Sequence, residues 1–381
     1  MLKYPRGGID NRLRISDNFL LAPGAAQNIS NSQLNYGDPA MRKTVLIVLT
    51  TLSILFAASC FAQYKPGDAV TPPDYPSLKN PAMKFGLVNK QGKRFAKDPT
   101  VVRFKGKYWM YFSFVPRDPQ KKSYYYIGIA TSDDLTNWTH VGDVTPLPGS
   151  AHKDIAAPCA KVWDGKVHLF YQAWKEGTQN AIYYATSEDG LHFQNVYSTP
   201  IFSPKGDWTN GRAIDADFIE FKGKCYLYAA TRDPAGKIQK QVVAVAEDRN
   251  NLAPDQWKQC DHCILEPTLP WETRCIEAAS VCEKDGKLFL FYGGGYNNNP
   301  QHIGLAQSDD GVHWTRVWNV PFITNGPKGQ WNSSESGHPG VFIDPETGKT
   351  WLFFQGNDEN GKSWYLSRVE LEWVDGLPKV K

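Results

Sequence analysis

The stretch Asp98-Pro-Thr-Val-Val-Arg-Phe-Lys-Gly106-Lys-Tyr-Trp-Met-Tyr decides how this chain folds, because the same phrase is written five times. The second and third copies are Ala157-Pro-Cys-Ala-Lys-Val-Trp-Asp-Gly165-Lys-Val-His-Leu-Phe-Tyr and Asp215-Ala-Asp-Phe-Ile-Glu-Phe-Lys-Gly223-Lys-Cys-Tyr-Leu-Tyr. The last two are Glu277-Ala-Ala-Ser-Val-Cys-Glu-Lys-Asp-Gly286-Lys-Leu-Phe-Leu-Phe-Tyr and His338-Pro-Gly-Val-Phe-Ile-Asp-Pro-Glu-Thr-Gly348-Lys-Thr-Trp-Leu-Phe-Phe. The turn glycines step by 59, 58, 63 and 62 residues. A period of that length marks one supersecondary unit laid down five times.

Each unit has the same grammar. A first strand follows the leading residue, as in Thr100–Phe104, and a Lys-Gly or Asp-Gly pair signals a tight hairpin. An alternating aromatic strand comes next, then a third strand. The unit closes on an aromatic, as in Ser132-Asp-Asp-Leu-Thr-Asn-Trp138 and Ser308-Asp-Asp-Gly-Val-His-Trp314. The pattern predicts an all-β chain: a five-bladed β-propeller with four antiparallel strands per blade, over residues 96–381. Trp138 and Trp314 recur with the closing phrase and are expected in the blade cores. Residues 63–95, rich in Pro and Lys, read as an extended lead-in that could help close the ring.

Composition narrows the partners. Against 42 basic residues stand 39 acidic ones in a chain of 381, so nothing points to nucleic acid or an anionic membrane surface. Thirteen Trp, 18 Tyr and 19 Phe with 32 Gly and 26 Pro fit aromatic strands joined by many turns. Near the N-terminus, Met41-Arg42-Lys43 opens a short apolar run from Thr44 to Ala58, followed by small residues. That is the form of a secretory signal over 41–62, with 1–40 an upstream extension and Met41 the expected start. Cleavage after Ala62 would free a protein beginning at Gln63, whereas Ala-Ala-Ser-Cys60 resembles a lipoprotein box. The product would be periplasmic, secreted or lipid-anchored, with no transmembrane span in the mature chain. Cys260-Asp-His-Cys263 is a lone pair without the second pair a zinc site needs, so buried thiols with at most one local bridge are expected.

The repeat also carries chemistry. The innermost strand of a blade lines the central channel, so the leading residues Asp98, Ala157, Asp215, Glu277 and His338 should ring one mouth of it. Three carboxylates crowded together must titrate apart. One protonated and one ionised carboxyl is what glycosidic hydrolysis requires. Counting back eight from the turn glycine favours Asp215 over Asp217, which shares its strand face and would sit deeper.

These residues and their order resemble glycoside hydrolase family 43 and its five-bladed relatives, families 32, 62, 68 and 117, over roughly residues 90–375. The resemblance implies Asp98 as general base, Glu277 as general acid and Asp215 as the residue tuning that acid, with inversion at the anomeric carbon. It also implies that His338 faces a metal or water in the channel, with a calcium ion as the candidate and no cofactor required. The chain departs from family 32: Lys97-Asp98-Pro99-Thr100 replaces its nucleophile motif, and Arg232-Asp233-Pro234 stands in the wrong place for its second motif.

Around the ring, further residues suit an oligosaccharide or polysaccharide substrate. Trp208, Trp271 and Trp331 precede leading residues by six or seven positions, where exposed rings could stack on sugars. Arg212 and Arg274 each precede a carboxylate by three, and if both face the pocket an acidic sugar such as a uronate would fit. Asp154 and Glu335 are candidates for binding sugar hydroxyls. The leading expectation is an exo-acting inverting glycosidase. The alternatives are a non-catalytic carbohydrate-binding propeller, a retaining fructosidase-like enzyme and a phosphorylase.

Overall fold

A computed structural model describes residues 76–79, 81–89, 91–115, 125–144, 154–174, 179–358 and 360–381. The extension, the signal segment and Cys60 lie outside the described residues. Five four-stranded antiparallel sheets follow one another along the chain, each built from four consecutive strands. The inner strands are Lys97–Phe104, Asp154–Trp163, Ile214–Phe221, Ile276–Lys284 and Glu335–Ile343. The chain is a five-bladed β-propeller, as the repeat predicts.

The hairpin glycines work as expected. Lys105-Gly106, Asp164-Gly165, Lys222-Gly223 and Asp285-Gly286 all have both central φ angles positive, the turn form whose twist matches a tight hairpin. The second strands supply the packing between blades. Tyr111, Phe170, Tyr228, Phe291 and Phe353 occupy matching positions and are each under 2% exposed. Trp138 packs edge-on against Phe353 and Trp314 against Tyr228, so the closing aromatics do join the core.

The fifth blade is complete without help from the N-terminus, because Tyr365–Val374 and Leu377–Val380 supply its outer strands. The lead-in is not wholly extended: Pro76–Lys79 forms one helical turn, and Leu78 accepts a bond from the Trp331 indole at 2.9 Å. Leu87–Val88 and Arg94–Phe95 form a small two-stranded sheet, while Phe85 bridges Leu366 on the fifth blade. All six described cysteines are free thiols, so no local bridge forms at Cys260 and Cys263.

Each inner strand carries a bulge where the pairing register shifts. The first bulge residue is left-handed in all five: Asp98 (φ 54°), Ala157 (47°), Asp215 (53°), Ala278 (54°) and His338 (43°). This corrects the register read from sequence, since the blade-four equivalent of Asp98 is Ala278. Glu277 stands one residue earlier, at the position of Lys97. Non-glycine residues held there cost about 1–3 kcal/mol each unless the surroundings enforce them. Here the preceding blade does so. The Asp98 amide donates to Gln355 Oε1 (3.1 Å), that of Ala157 to Ser113 Oγ (2.8 Å) and that of Asp215 to Gln172 Oε1 (2.9 Å). Replacing Gln172 with Leu should strand the Asp215 amide and cost about 1–3 kcal/mol. Urea unfolding would measure this, and an unchanged midpoint would refute the role.

Candidate active site

The bulges aim their side chains at the propeller axis. His338 lies at the centre, its Nδ1 2.7 Å from Asp98 Oδ1 and its Nε2 3.1 Å from Glu277 Oε1. Asp215 completes the group, with ligand atoms of Asp215, Glu277 and His338 all within 4.8 Å of one another. The three carboxyls named from the sequence therefore meet around one imidazole.

Glu277 is surrounded by donors. Gln301 Nε2 donates to Oε1 at 2.7 Å, Asn297 Nδ2 to the same oxygen at 3.5 Å, and Gln239 Nε2 to Oε2. The orientation of Gln239 follows from its other end. Its Oε1 accepts from Arg212 Nη1 (2.6 Å) and Arg232 Nε (3.1 Å), and guanidinium groups can only donate. The amide NH2 must then face Glu277. Lys97 adds charge from the neighbouring side, bonded to Asn297 Oδ1 at 2.7 Å and lying over the Trp364 ring.

These neighbours divide the protons. Burial pushes Asp98 up, but the charge and bond of His338, with Lys97, hold its carboxyl well below the usual range. Burial also pushes Glu277 up, and His338, Gln301 and Lys97 outweigh it, leaving it at about 2. Asp215 has no such bond: burial first, then Glu277 and Asp98, raise it to about 7 against the pull of His338 and Arg212. Its Oδ2 is buried without a hydrogen-bond partner. Burial would lower His338, yet the surrounding carboxylates, led by Asp98, hold it protonated well above its usual value.

The ligand atoms of Asp215, Glu277 and His338 lie close enough together to hold a cation. The two imidazole nitrogens face Asp98 and Glu277.

Other candidates divide between site and scaffold. Arg212 reaches the site through Gln239, but Arg274 is exposed, and among the described residues its carbonyl is what is engaged, by the backbone N–H of Gln239. The second guanidinium is Arg232 instead. Trp271 is buried on Tyr292, and Trp331 is buried on Phe354, so neither offers a face to sugar. Trp208 is half-buried at the edge of the blade-two and blade-three core, with Lys240 over its ring. Asp154 is a buried strand residue, not a solvated loop charge, and its Oδ1 accepts from the Tyr125 amide at 2.6 Å. Glu335 is fully buried and accepts from Gln355 (2.6 Å), the side chain that takes the Asp98 amide. It holds the Gln355 side chain, and through it the Asp98 bulge.

Sequence reading missed Gln239, Gln301, Asn297, Arg232, Lys97 and Trp364. Gln239 carried the clearest signal, as a lone amide opening the apolar strand Gln239–Ala246. A cavity of about 490 Å³ also reaches Asp98, Asp215 and His338 from the hairpin side. It is lined in part by Asp217, which pairs with Lys161 (3.2 Å) and accepts from Cys159 (3.0 Å), deeper in the channel as expected.

Residues 91–378 match the family model described as glycosyl hydrolases family 43, and the chain belongs to that family. It is a glycosidase built on the five-bladed fold. A thermostable family-43 glycoside hydrolase is 20% identical, with a TM-score of 0.61 over 75% of this chain and 92% of that one. An α-L-arabinofuranosidase from Lactobacillus brevis is 18% identical, with a TM-score of 0.60 over 80% and 96%. An endo-1,4-β-xylanase from Bacteroides thetaiotaomicron is 21% identical, with a TM-score of 0.57 over 75% and 94%. At these identities the likeness speaks for the fold.

The raised Asp215 has a consequence for stability. The unfolded chain releases this proton near pH ~3.9, and the folded chain keeps it to about 7. Between those values the folded state holds more protons, so this group lowers stability as pH rises. Asp215→Asn removes that dependence. The thermal midpoint of the variant, relative to the parent, should climb from pH 4 to pH 8. A difference that stays flat or falls would contradict the placement of the proton.

Proposed function

We propose that this glycosidase is inverting and exo-acting, with Glu277 as acid, Asp98 as base and Asp215 as the group that sets the proton inventory of the pair. The observation that carries the reading is the imidazole of His338 between Asp98 and Glu277, at 2.7 and 3.1 Å. A carboxylate pair held apart leaves room for a water on the far side of the sugar, as single displacement requires. The protonated acid gives its proton to the glycosidic oxygen as the bond from the anomeric carbon breaks. Water bonds that carbon from the opposite face and loses a proton to Asp98. His338 supplies the acid's proton to Glu277 from Nε2 before cleavage; afterwards Asp98 releases its proton to bulk water and Nε2 takes one up from it, restoring the imidazolium and both carboxylates.

Resting Glu277 is ionised, since every neighbour is a donor. The proton it needs is one bond away on His338. Asp215 holds another, and the cluster titrates as a unit. The leading carboxyls are nearly buried at the constricted axis, which favours a chain end over the middle of a polymer. The apolar run Thr44–Ala58 behind Arg42-Lys43 supports export, with release or lipid attachment to follow. Among the described residues no helix is long and apolar enough to cross a membrane.

The test is turnover of aryl glycosides and plant or algal oligosaccharides, with NMR of the first-formed anomer. Asp98→Asn and Glu277→Gln should each lower kcat by at least about a hundredfold, in line with loss of a general acid or base, while thermal unfolding stays cooperative. Full activity in either variant would sink the assignment, and a first product of retained configuration would exclude single displacement.

A further inference from the structure

Arg212 and Arg232 make an unusual pair. Both guanidinium groups are half-buried, and both point a donor at one atom, Gln239 Oε1, at 2.6 and 3.1 Å. Two cations converging on a neutral amide oxygen repel each other. Burial and then the neighbouring Arg232 pull the Arg212 pKa down. Buried charges of like sign are ordinarily countered by an ion pair. Among the described residues neither guanidinium makes a carboxylate ion pair within 4.0 Å, although Arg103, Arg249 and Arg316 all do.

A guanidinium has five N–H donors, and Gln239 takes one from each arginine. Arg232 also lies against the Tyr296 ring, 5.9 Å from its centroid, which steadies the fork without using its donors. The pair is one amide away from Glu277, since Gln239 Nε2 donates to that carboxyl. Asp215 and Glu277 are close enough for Arg212 to feel their charge, yet their oxygens are not its partners. What the pair lacks is an anion brought from outside.

We propose that Arg212 and Arg232 form an anion-binding subsite that receives the carboxylate of a uronic sugar beside the scissile bond. Planar forks suit a carboxylate, which can accept two parallel N–H bonds. This rests on the reading of Glu277 as the acid of the site. It is tested by binding alone, so that loss of turnover in Glu277→Gln and loss of uronate binding are separate results.

The experiment is calorimetric titration of the protein with D-galacturonate and D-glucuronate, against D-galactose and D-glucose as neutral parents. Inorganic phosphate and galactose 6-sulfate are the competing anions. At least one uronate should bind about tenfold or more tightly than its parent, the lower end of what a charge-assisted bond contributes. Arg232→Gln should remove that preference, and Arg232→Lys should restore part of it, by keeping the charge without the fork. Arg212→Gln provides the same comparison if Arg232→Gln does not fold. Equal binding of uronate and parent, or of neither, overturns the proposal. So does a parallel loss of both in Arg232→Gln, which would make the pair a clamp on Gln239 and nothing more. Tighter binding of phosphate or the sulfated sugar would reassign the subsite to that anion.

Discussion

Everything at the axis depends on a backbone constraint: one residue in each inner strand is held left-handed at a bulge. Such a residue is strained wherever it carries a side chain. The same twist that costs energy swings the side chain toward the axis, where a regular pleat would direct it across the sheet. Three of the five bulge amides are tied to a Gln or Ser of the preceding blade. The geometry of Asp98 and Asp215 is therefore set by their neighbours as much as by their own strands. Evenly spaced blades are a condition for catalytic geometry, and the aromatic second strands that space them serve the site at a distance.

The second constraint is charge. Three carboxyls in one buried place would hold on to their protons or oppose folding. The structure resolves this with the His338 imidazolium, with Lys97, and with the proton left on Asp215. The amides around Glu277 complete the arrangement. Gln239 and Gln301 are neutral, so they orient the carboxyl without adding to the charge balance. Asp98 and Glu277 take opposite nitrogens of one ring, which makes their protonation interdependent.

The parts of this legible in the sequence are those that repeat. The Lys-Gly and Asp-Gly turns and the aromatic strands recur because each blade solves the same packing problem, so they expose the fold. The ring of Asp98, Asp215 and His338 was legible for the opposite reason, as the place where matched positions differ. Glu277 was found by its chemistry but misplaced by one residue: counting back eight from the turn glycine, which gives Asp98 and Asp215, gives Ala278 in the fourth blade. Trp271 and Trp331 misled, since a loop tryptophan before a key residue looks the same whether it faces sugar or the next blade. Arg274 misled by symmetry with Arg212. Arg232 sits at the end of a second strand, and only pairing across the sheet brings it beside Gln239. Gln355 and Gln172 act on residues of other blades, 257 and 43 positions away, a relation no local pattern encodes.

The first and last blades meet at a seam. No strand crosses it, for each blade is made of four consecutive strands. The contact between Asp98 and His338 spans it, joining residues 240 positions apart in the chain. Asp98 and His338 thus leave the ribosome far apart in time. Until the fifth blade docks on the first, Asp98 lacks the imidazole that faces it in the closed ring.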